Sequence, residues 1–426
     1  MTEKMNVPRL RFNEFEDHWV KQALGQRMTI FRGASPRPKG DPRYYGGLVP
    51  RLMIQDATRD GKYTTPCIDF LTDEGAKKSR HLKAGSVVLS CSGTRVAIPT
   101  LLAVDACVHD GWLAFKDYKN IEPEYLYYLF VKLHERMQGS ATTGGVFNNL
   151  TTEIMNNLMM SFPTLPEQQK IASFLSKVDE KISLLTEKKA KLTEYKKGVM
   201  QQLFDGSFQE QDGKLVFVPP TLRFKADDGS EFPDWEERKL GELGQFKNGL
   251  NKGKEDFGFG SPFVNLQDVF GKQVISSTSN LGLVNASDKD IDLYQLLKGD
   301  VIFIRSSVKK SGVGETALVE KNLVKTVYSG FLIRFRSNTD LTDNYKKYCF
   351  WEKRFRNKLI AMSTTSANTN INQESLSQLT IPCPSQDEQT KIANFLSSID
   401  QKIDLVSSEL EKTKEWKEGL LQQMFV

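Results

Sequence analysis

Arg32, Arg37, Lys39 and Arg43 lie close together, beside Tyr44 and Tyr45 and among glycines and prolines. Flexible cations next to aromatic rings in a turn-rich segment suit one chemistry. They can grip a phosphate chain while neighbouring side chains reach the edges of bases. Cys91, Ser92, Gly93, Thr94 and Arg95 follow an apolar, strand-like run, and residues 140–145 form a polar, glycine-bearing loop that adds Thr142 and Thr143. The same residue types recur later as Lys247 and Asn248, Asn251 and Lys252, Arg305 to Ser307, and Lys309 and Lys310. Thr364 and Thr365 follow, with Asn368 and Asn370 just beyond. Arginine pairs bidentately with guanine and asparagine with adenine. Between Val20 and Arg95 there are 14 Lys or Arg against 6 Asp or Glu, and between Lys321 and Lys358 there are 10 against 3. A phosphate backbone is the usual partner of such local excess, although a solvated surface gives the same count. The total charge of +5 says little.

Bond-making chemistry finds less support. An adenine methyltransferase needs an Asn/Asp-Pro-Pro-aromatic tetrapeptide; the nearest sequences, at 41–44 and 218–221, do not fit it. The glycine pair at Gly258 and Gly260 is too weak for a cofactor loop, and residues 249–254 lack the spacing of a phosphate-binding loop. Pro233, Asp234, Glu237 and Lys239 superficially match a metal-dependent nuclease, but they crowd onto one short segment. His18, His81, His109 and His134 form no obvious triad. Cys67, Cys91, Cys107, Cys349 and Cys383 lack zinc spacing and read as reduced, mostly buried thiols. No catalytic residue, metal or cofactor is therefore expected in this chain. The start of the sequence has no signal-peptide core, and no run approaches the roughly 18 apolar residues of a membrane span. The expectation is a soluble, cytoplasmic protein.

The elements that must position these residues are written twice. Residues 163–204 recur at 384–425 with a constant offset of 221, and about 20 of the 42 positions are identical. Leu10, Arg11, Phe12, Trp19, Leu24 and Gly25 open the first half, as Leu222, Arg223, Phe224, Trp235, Leu240 and Gly241 open the second. Residues 85–89 parallel 299–303, a turn feeding an apolar strand. Tyr125, Tyr128 and Phe130 parallel Tyr345, Tyr348 and Phe350 in an expected helix. Between these anchors the halves share almost nothing, so one scaffold carries two payloads.

The repeated segment has the stripe of a coiled coil. Ile171, Leu175, Val178, Ile182, Leu185, Leu192, Val199 and Leu203 advance by alternating fours and threes, interrupted by Lys189 and Lys196. The second copy places Ile392, Leu396, Ile399, Ile403, Val406, Leu410, Leu420 and Met424 on the same seam, with Thr413 and Lys417 as its breaks. Pro163 and Pro166, and Pro382 and Pro384, bar the helices from continuing upstream. Two amphipathic helices docked separately would show the same stripe. Two seams of matched length in one chain more naturally bury each other as an antiparallel pair. Thirty-eight residues from Glu167 to Phe204, at about 1.5 Å each, make a rod of about 57 Å.

Residues 163–172 (PTLPEQQKIA), their echo at 384–393 (PSQDEQTKIA), and the helices that follow resemble the conserved regions of type I restriction-modification specificity subunits. The second copy departs at Asp387 in place of Pro166 and Thr390 in place of Gln169. The resemblance covers the whole chain. It implies a mixed α/β (α+β) fold with a pseudo-two-fold internal repeat, two target recognition domains and an antiparallel coiled coil. The expected parts are residues 1–161 and 219–382 as target recognition domains, 162–206 and 383–426 as conserved helical regions, and 207–218 as a linker. It further implies a non-catalytic subunit that reads a bipartite site in double-stranded DNA. Two modification (methyltransferase) subunits and restriction (motor-nuclease) subunits would be its partners. S-adenosylmethionine, ATP and magnesium would belong to those partners. A coiled-coil adaptor with two protein-binding heads remains the alternative at this point.

Overall fold

The computed structural model describes residues 7–92, 96–141, 150–211, 213–365 and 367–426, so Thr94, Arg95, Thr142 and Thr143 lie outside the described residues. The chain divides into two compact units, one of Met1–Glu187 with Ser408–Val426, the other of Lys188–Ser407.

In the first unit a five-stranded sheet runs in the order Thr29–Arg32, Trp112–Lys116, Val87–Ser90, Pro99–Leu102, Tyr63–Thr64. Every neighbouring pair is antiparallel except the last, which is parallel. The strand Val87–Ser90 is buried along its whole length, as its continuous apolar run requires. The helix Pro123–Ala141 covers the sheet, bringing the Phe130 ring to 4.9 Å from that of Phe115. A second sheet orders Asp69–Leu71, Tyr45–Leu52, Ala106–Val108 and Arg80–Leu82.

The second unit repeats this plan. Its five-stranded sheet runs Gly244–Asn248, Leu332–Ser337, Val301–Ile304, Thr316–Val319, Val274–Ile275, again with only the last pair parallel. Its second sheet orders Gly282–Val284, Phe257–Val264 and Val327–Tyr328, and the pair with Val327–Tyr328 is parallel, as Tyr45–Leu52 is with Ala106–Val108. The topology thus persists where the sequences differ, because strand period and burial, not residue identity, specify a sheet. Residues 207–218, expected as a linker, form an antiparallel hairpin of Ser207–Gln211 and Lys214–Val218. Arg354 stacks over its Phe208 and Phe217 rings.

The central helix, Leu165–Phe204, and the C-terminal helix, Gln386–Met424, are the long elements. Pro166 was expected before the helix; it sits inside the first turn, where its missing N–H leaves no bond unmade. The signature residues after it are clamps. Buried Glu167 accepts from Arg11 at 2.8 Å and from the Trp19 indole at 3.2 Å, and Glu388 accepts from Arg223 and Trp235 in the same way. Gln168 bonds Pro163, Asn120 and Glu122 backbone atoms, and Gln389 bonds those of Pro384, Asp340 and Thr342. Each head is thereby fastened to the first turn of its helix.

Within the first unit Lys417 lies 2.6 Å from Asp179 and Lys181 lies 2.9 Å from Glu409, so the two helices run antiparallel. Within the second unit Lys196 reaches Asp400 at 2.5 Å and Lys189 reaches Ser407 at 2.8 Å, with the same sense. Lys196 and Lys417 are repeat equivalents, as are Asp179 and Asp400, so the lysine breaks in the seams make cross-helix bonds, while the Thr413 hydroxyl donates to the Glu409 carbonyl of its own helix. The hydroxyls of Tyr128 and Tyr348 donate to the same two carboxylates. Leu175, Leu185, Leu396, Val406 and Leu410 are buried, and Ile182, Leu192 and Ile403 are partly so. Leu420, Leu421, Met424 and Phe425 join the first unit's core, where Phe425 stacks on Tyr125 at 5.4 Å. Leu203 and Phe204 join the second unit's core, with Phe204 at 5.8 Å from Tyr345. Among the described residues no helix is long and apolar enough to cross a membrane.

Candidate nucleic-acid interface

The two units build the same sheet end from the same backbone bonds. After Thr29–Arg32, Gly33 donates to the Trp112 carbonyl and Ala34 to that of Val108. After Gly244–Asn248, Gly249 donates to Leu332 and Leu250 to Tyr328. A Cβ on Gly33 or Gly249 would stand 2.1 Å from the carbonyl oxygen of His109 or Ser329, so the close approach requires glycine at both places. Cys91 donates to Gly111 and accepts from Leu150; Arg305 donates to Phe331 and accepts from Ile371. Arg32 and Asn248 are therefore structural equivalents, and so are Cys91 and Arg305. The frame is constant and the side chains it presents are exchanged.

In the first unit this end is organised by Asp110. Its carboxylate accepts from the Ser35 hydroxyl at 2.7 Å and lies 3.5 Å from Arg37, while its backbone carbonyl accepts from Arg32. The Ser35 bond foremost holds the Asp110 carboxyl below the usual range, against the effect of partial burial. Burial, then Arg51, depresses the basicity of His109. Gly111 donates to His109 Nδ1 at 2.9 Å, which puts the neutral ring's proton on Nε2. Arg37, Lys39, Tyr45, Arg51, His109 and Asp110 line a cleft of about 220 Å3. Arg43 is exposed and paired with Asp41 at 2.7 Å. Tyr44 is only 4% exposed and its hydroxyl accepts from Lys78 at 2.6 Å, so it is a wall of the domain with no ring face open to a ligand.

In the second unit a small sheet gathers the expected residues: Ser306 pairs with Asn370, and Asn370 with Thr364. The Asn370 amide donates to the Asn368 carbonyl, and Arg305 donates to Gly330 at 3.3 Å. Asn251 packs on that same Gly330. Asn251, Arg305, Ser306, Asn368 and Asn370 thus share one edge, with Asn248 at the adjoining strand end and exposed Lys309 and Lys310 following. Lys247 lies 5.0 Å from the Tyr294 ring centroid and Lys252 lies 3.0 Å from Asp290, so both cations are engaged within the domain. The turns holding Asp110 and Gly330 were not foreseen as organisers. Their sequence signal is a short polar or glycine turn between two apolar strands. Among the described residues no group of three or more His, Cys, Asp and Glu could hold a metal ion.

The profile of the family described as Type I restriction modification DNA specificity domain matches residues 60–194 and 233–415. The chain belongs to this family. The type I restriction enzyme MjaVIII specificity subunit of Methanocaldococcus jannaschii is 24% identical over 89% of this chain and 88% of its own length. The EcoKI specificity subunit of Escherichia coli K12 is 20% identical over 89% and 82%. A putative MjaX specificity subunit of M. jannaschii is 26% identical over 47% of this chain, a match that spans 48% of that relative. The solved S subunit of a type I system from M. genitalium superposes with a TM-score of 0.55 at 15% identity, over 99% of both chains. A chain solved in work on assembly and conformational transition of the type I system gives 0.59 at 17% identity, over 96% and 97%. These likenesses agree with the mixed α/β plan and the paired long helices. Type I specificity subunits are non-catalytic and carry no cofactor of their own; the catalytic activities lie in partner subunits.

Proposed function

We propose that each head of this type I specificity subunit reads one half of a bipartite site in double-stranded DNA through the sheet end just described. The observation that carries this is the constant backbone frame displaying different side chains, Arg32 and Cys91 in one head against Asn248 and Arg305 in the other. A frame shared by two readers of different half-sites has that property. Arg32, Arg37, Lys39 and Arg43 then serve the first half-site, and Asn248, Asn251, Arg305, Ser306, Asn370, Lys309 and Lys310 the second. Lys247, Lys252 and Tyr44 act as supports. The helix pair separates the half-sites and receives the modification subunits. Leu184 and Trp416 in the first unit, and Leu405 and Tyr195 in the second, are exposed, and Leu184/Leu405 and Tyr195/Trp416 are repeat equivalents. A duplicated apolar pair suits two copies of one partner. Those partners supply S-adenosylmethionine chemistry on adenine, and the restriction subunits supply ATP- and magnesium-dependent cleavage, in the cytoplasm.

The test is duplex binding by the chain assembled with its modification subunits, and mapping of the sites they methylate. A split motif and steep salt dependence are expected; indifference to duplex DNA would favour the adaptor reading instead. Lys39→Ala should weaken binding evenly across sequences and reduce the salt slope by about one.

A further inference from the structure

Each head carries an excursion that the sheet does not need. In the strand Tyr45–Leu52, Leu71 of the neighbouring strand is paired with both Tyr45 and Val49, so Gly46, Gly47 and Leu48 leave the ladder. In the strand Phe257–Val264, Val284 is paired with both Phe257 and Ser261, and Gly258, Phe259 and Gly260 leave it at the corresponding place. The backbone is built for this. Gly46, Gly258 and Gly260 have φ of +84°, +100° and +94°, a region that side chains disfavour. A Cβ on Gly47 would stand 2.4 Å from the Leu71 carbonyl oxygen, and one on Gly260 2.6 Å from that of Val284. The excursions lift Leu48 to 93% exposure and Phe259 to 52%. A single exposed apolar side chain is ordinary. A glycine-built, three-residue excursion at the same point of two heads is not, particularly where the strands read YGGLV and FGFGS.

The surroundings identify what the tips meet. Tyr45, which opens the first bulged strand, bonds the Pro36 carbonyl at 2.8 Å and walls the cleft that holds Arg37 and Lys39. Exposed Lys254 leads into the second bulged strand. An apolar tip beside phosphate-seeking cations has the composition of side chains that wedge between stacked bases. Resting on the reading of the heads as DNA readers, we propose that Leu48 and Phe259 are such wedges. Each enters the duplex at one base step of its half-site and partly unstacks it.

The experiment uses the chain assembled with its modification subunits, on duplexes carrying the mapped site. 2-Aminopurine is placed one position at a time through each half-site. Beyond the target adenine, which the modification subunits would extrude, the parent complex should raise its fluorescence at one further step per half-site. Leu48→Ala should abolish the rise only in the half-site read by the first head, and Phe259→Ala only in the other. Each should weaken binding on the order of tenfold. An abasic position at that step, already unstacked, should restore the variant's affinity to near the parent's. Fluorescence and affinity unchanged by both substitutions would overturn the proposal. So would weakened binding that the abasic duplex does not rescue, or a loss of subunit assembly with DNA binding intact, which would assign the tips to a protein partner. A parent complex that binds no split site would instead sink the underlying DNA-reader assignment.

Discussion

Asp400 shows how much a single side chain holds together. It is partly buried, with Lys196 at 2.5 Å, Lys347 at 3.0 Å and the Tyr348 hydroxyl at 2.8 Å. Burial by itself would raise its pKa; the contacts with Lys196, Tyr348 and Lys347 outweigh it and hold the carboxyl below its ordinary value. A carboxyl depressed in the folded state stabilises it above the unfolded value of about 3.9, and that contribution is lost as pH falls through the folded value. Asp400→Asn should therefore cost roughly 2 kcal/mol at pH 7. The gap between parent and variant in denaturant unfolding should close below about pH 4; a gap constant with pH would contradict this account. Lys196 was visible in the sequence only as a fault in an apolar stripe, because its partner stands 204 positions away. Separations of 148 to 165 positions likewise hid the duties of Glu167 and Glu388. Their repetition marked them, but Arg11 and Trp19 could be joined to Glu167 only by the fold. Of the residues singled out by type, Arg305, Asn251 and Asn370 meet at one edge of the second unit, whereas Tyr44 is buried, because an aromatic beside arginines looks alike in sequence whether it faces solvent or core.

The helices were legible because a 3.5-residue stripe survives without any knowledge of its partner. The hairpin at 207–218 was missed although its glycine was in view; Gly213 takes φ of +74°, as a tight turn demands. The five-stranded sheets were foreseen only at their central strands, since two-residue edge strands such as Tyr63–Thr64 leave almost no periodic signal. For the helix pair, the facing of Lys189 by Ser407 gives a specific prediction. Adding one heptad after Ala190 and another near Ser407 keeps both seams and both Lys–Asp bonds in step. The rod should lengthen by about 10 Å, and the gap between half-sites by about three base pairs. Methylation mapping should find both half-sites unchanged and only the gap longer. The same heptad added to the central helix alone sets Lys196 out of step with Asp400 and should lower activity at every gap length. Full activity at the original gap from the doubly extended chain would show that the helices are not the ruler.

At the scale of the whole molecule the question is whether two heads on one repeated frame read independently. Each unit contains its own sheets, its own clamp of arginine, glutamate and tryptophan, and its own Lys–Asp–Tyr bond. Each also takes an apolar tip from the far end of a long helix into its core: Leu420, Leu421, Met424 and Phe425 in the first unit, Val199, Leu203 and Phe204 in the second. A head is therefore incomplete without that tip, and a transplant must respect it. Residues 1–161 exchanged for the same domain of a related subunit should fold where the incoming domain keeps an aromatic at the place of Tyr125 to receive Phe425. A small residue there should lower thermal stability, as removal of a buried aromatic does, by about 3 kcal/mol. Stability and specificity should separate cleanly in this series. Transplants with and without the matching aromatic should differ in yield and melting temperature yet methylate the same new half-site. The half-site read by residues 219–382 should stay as it was in both. Mapping methylated sites for each transplant decides the matter. If one exchange alters both half-sites, the sheet ends do not read alone, and the constant frame is a single composite reader instead of two.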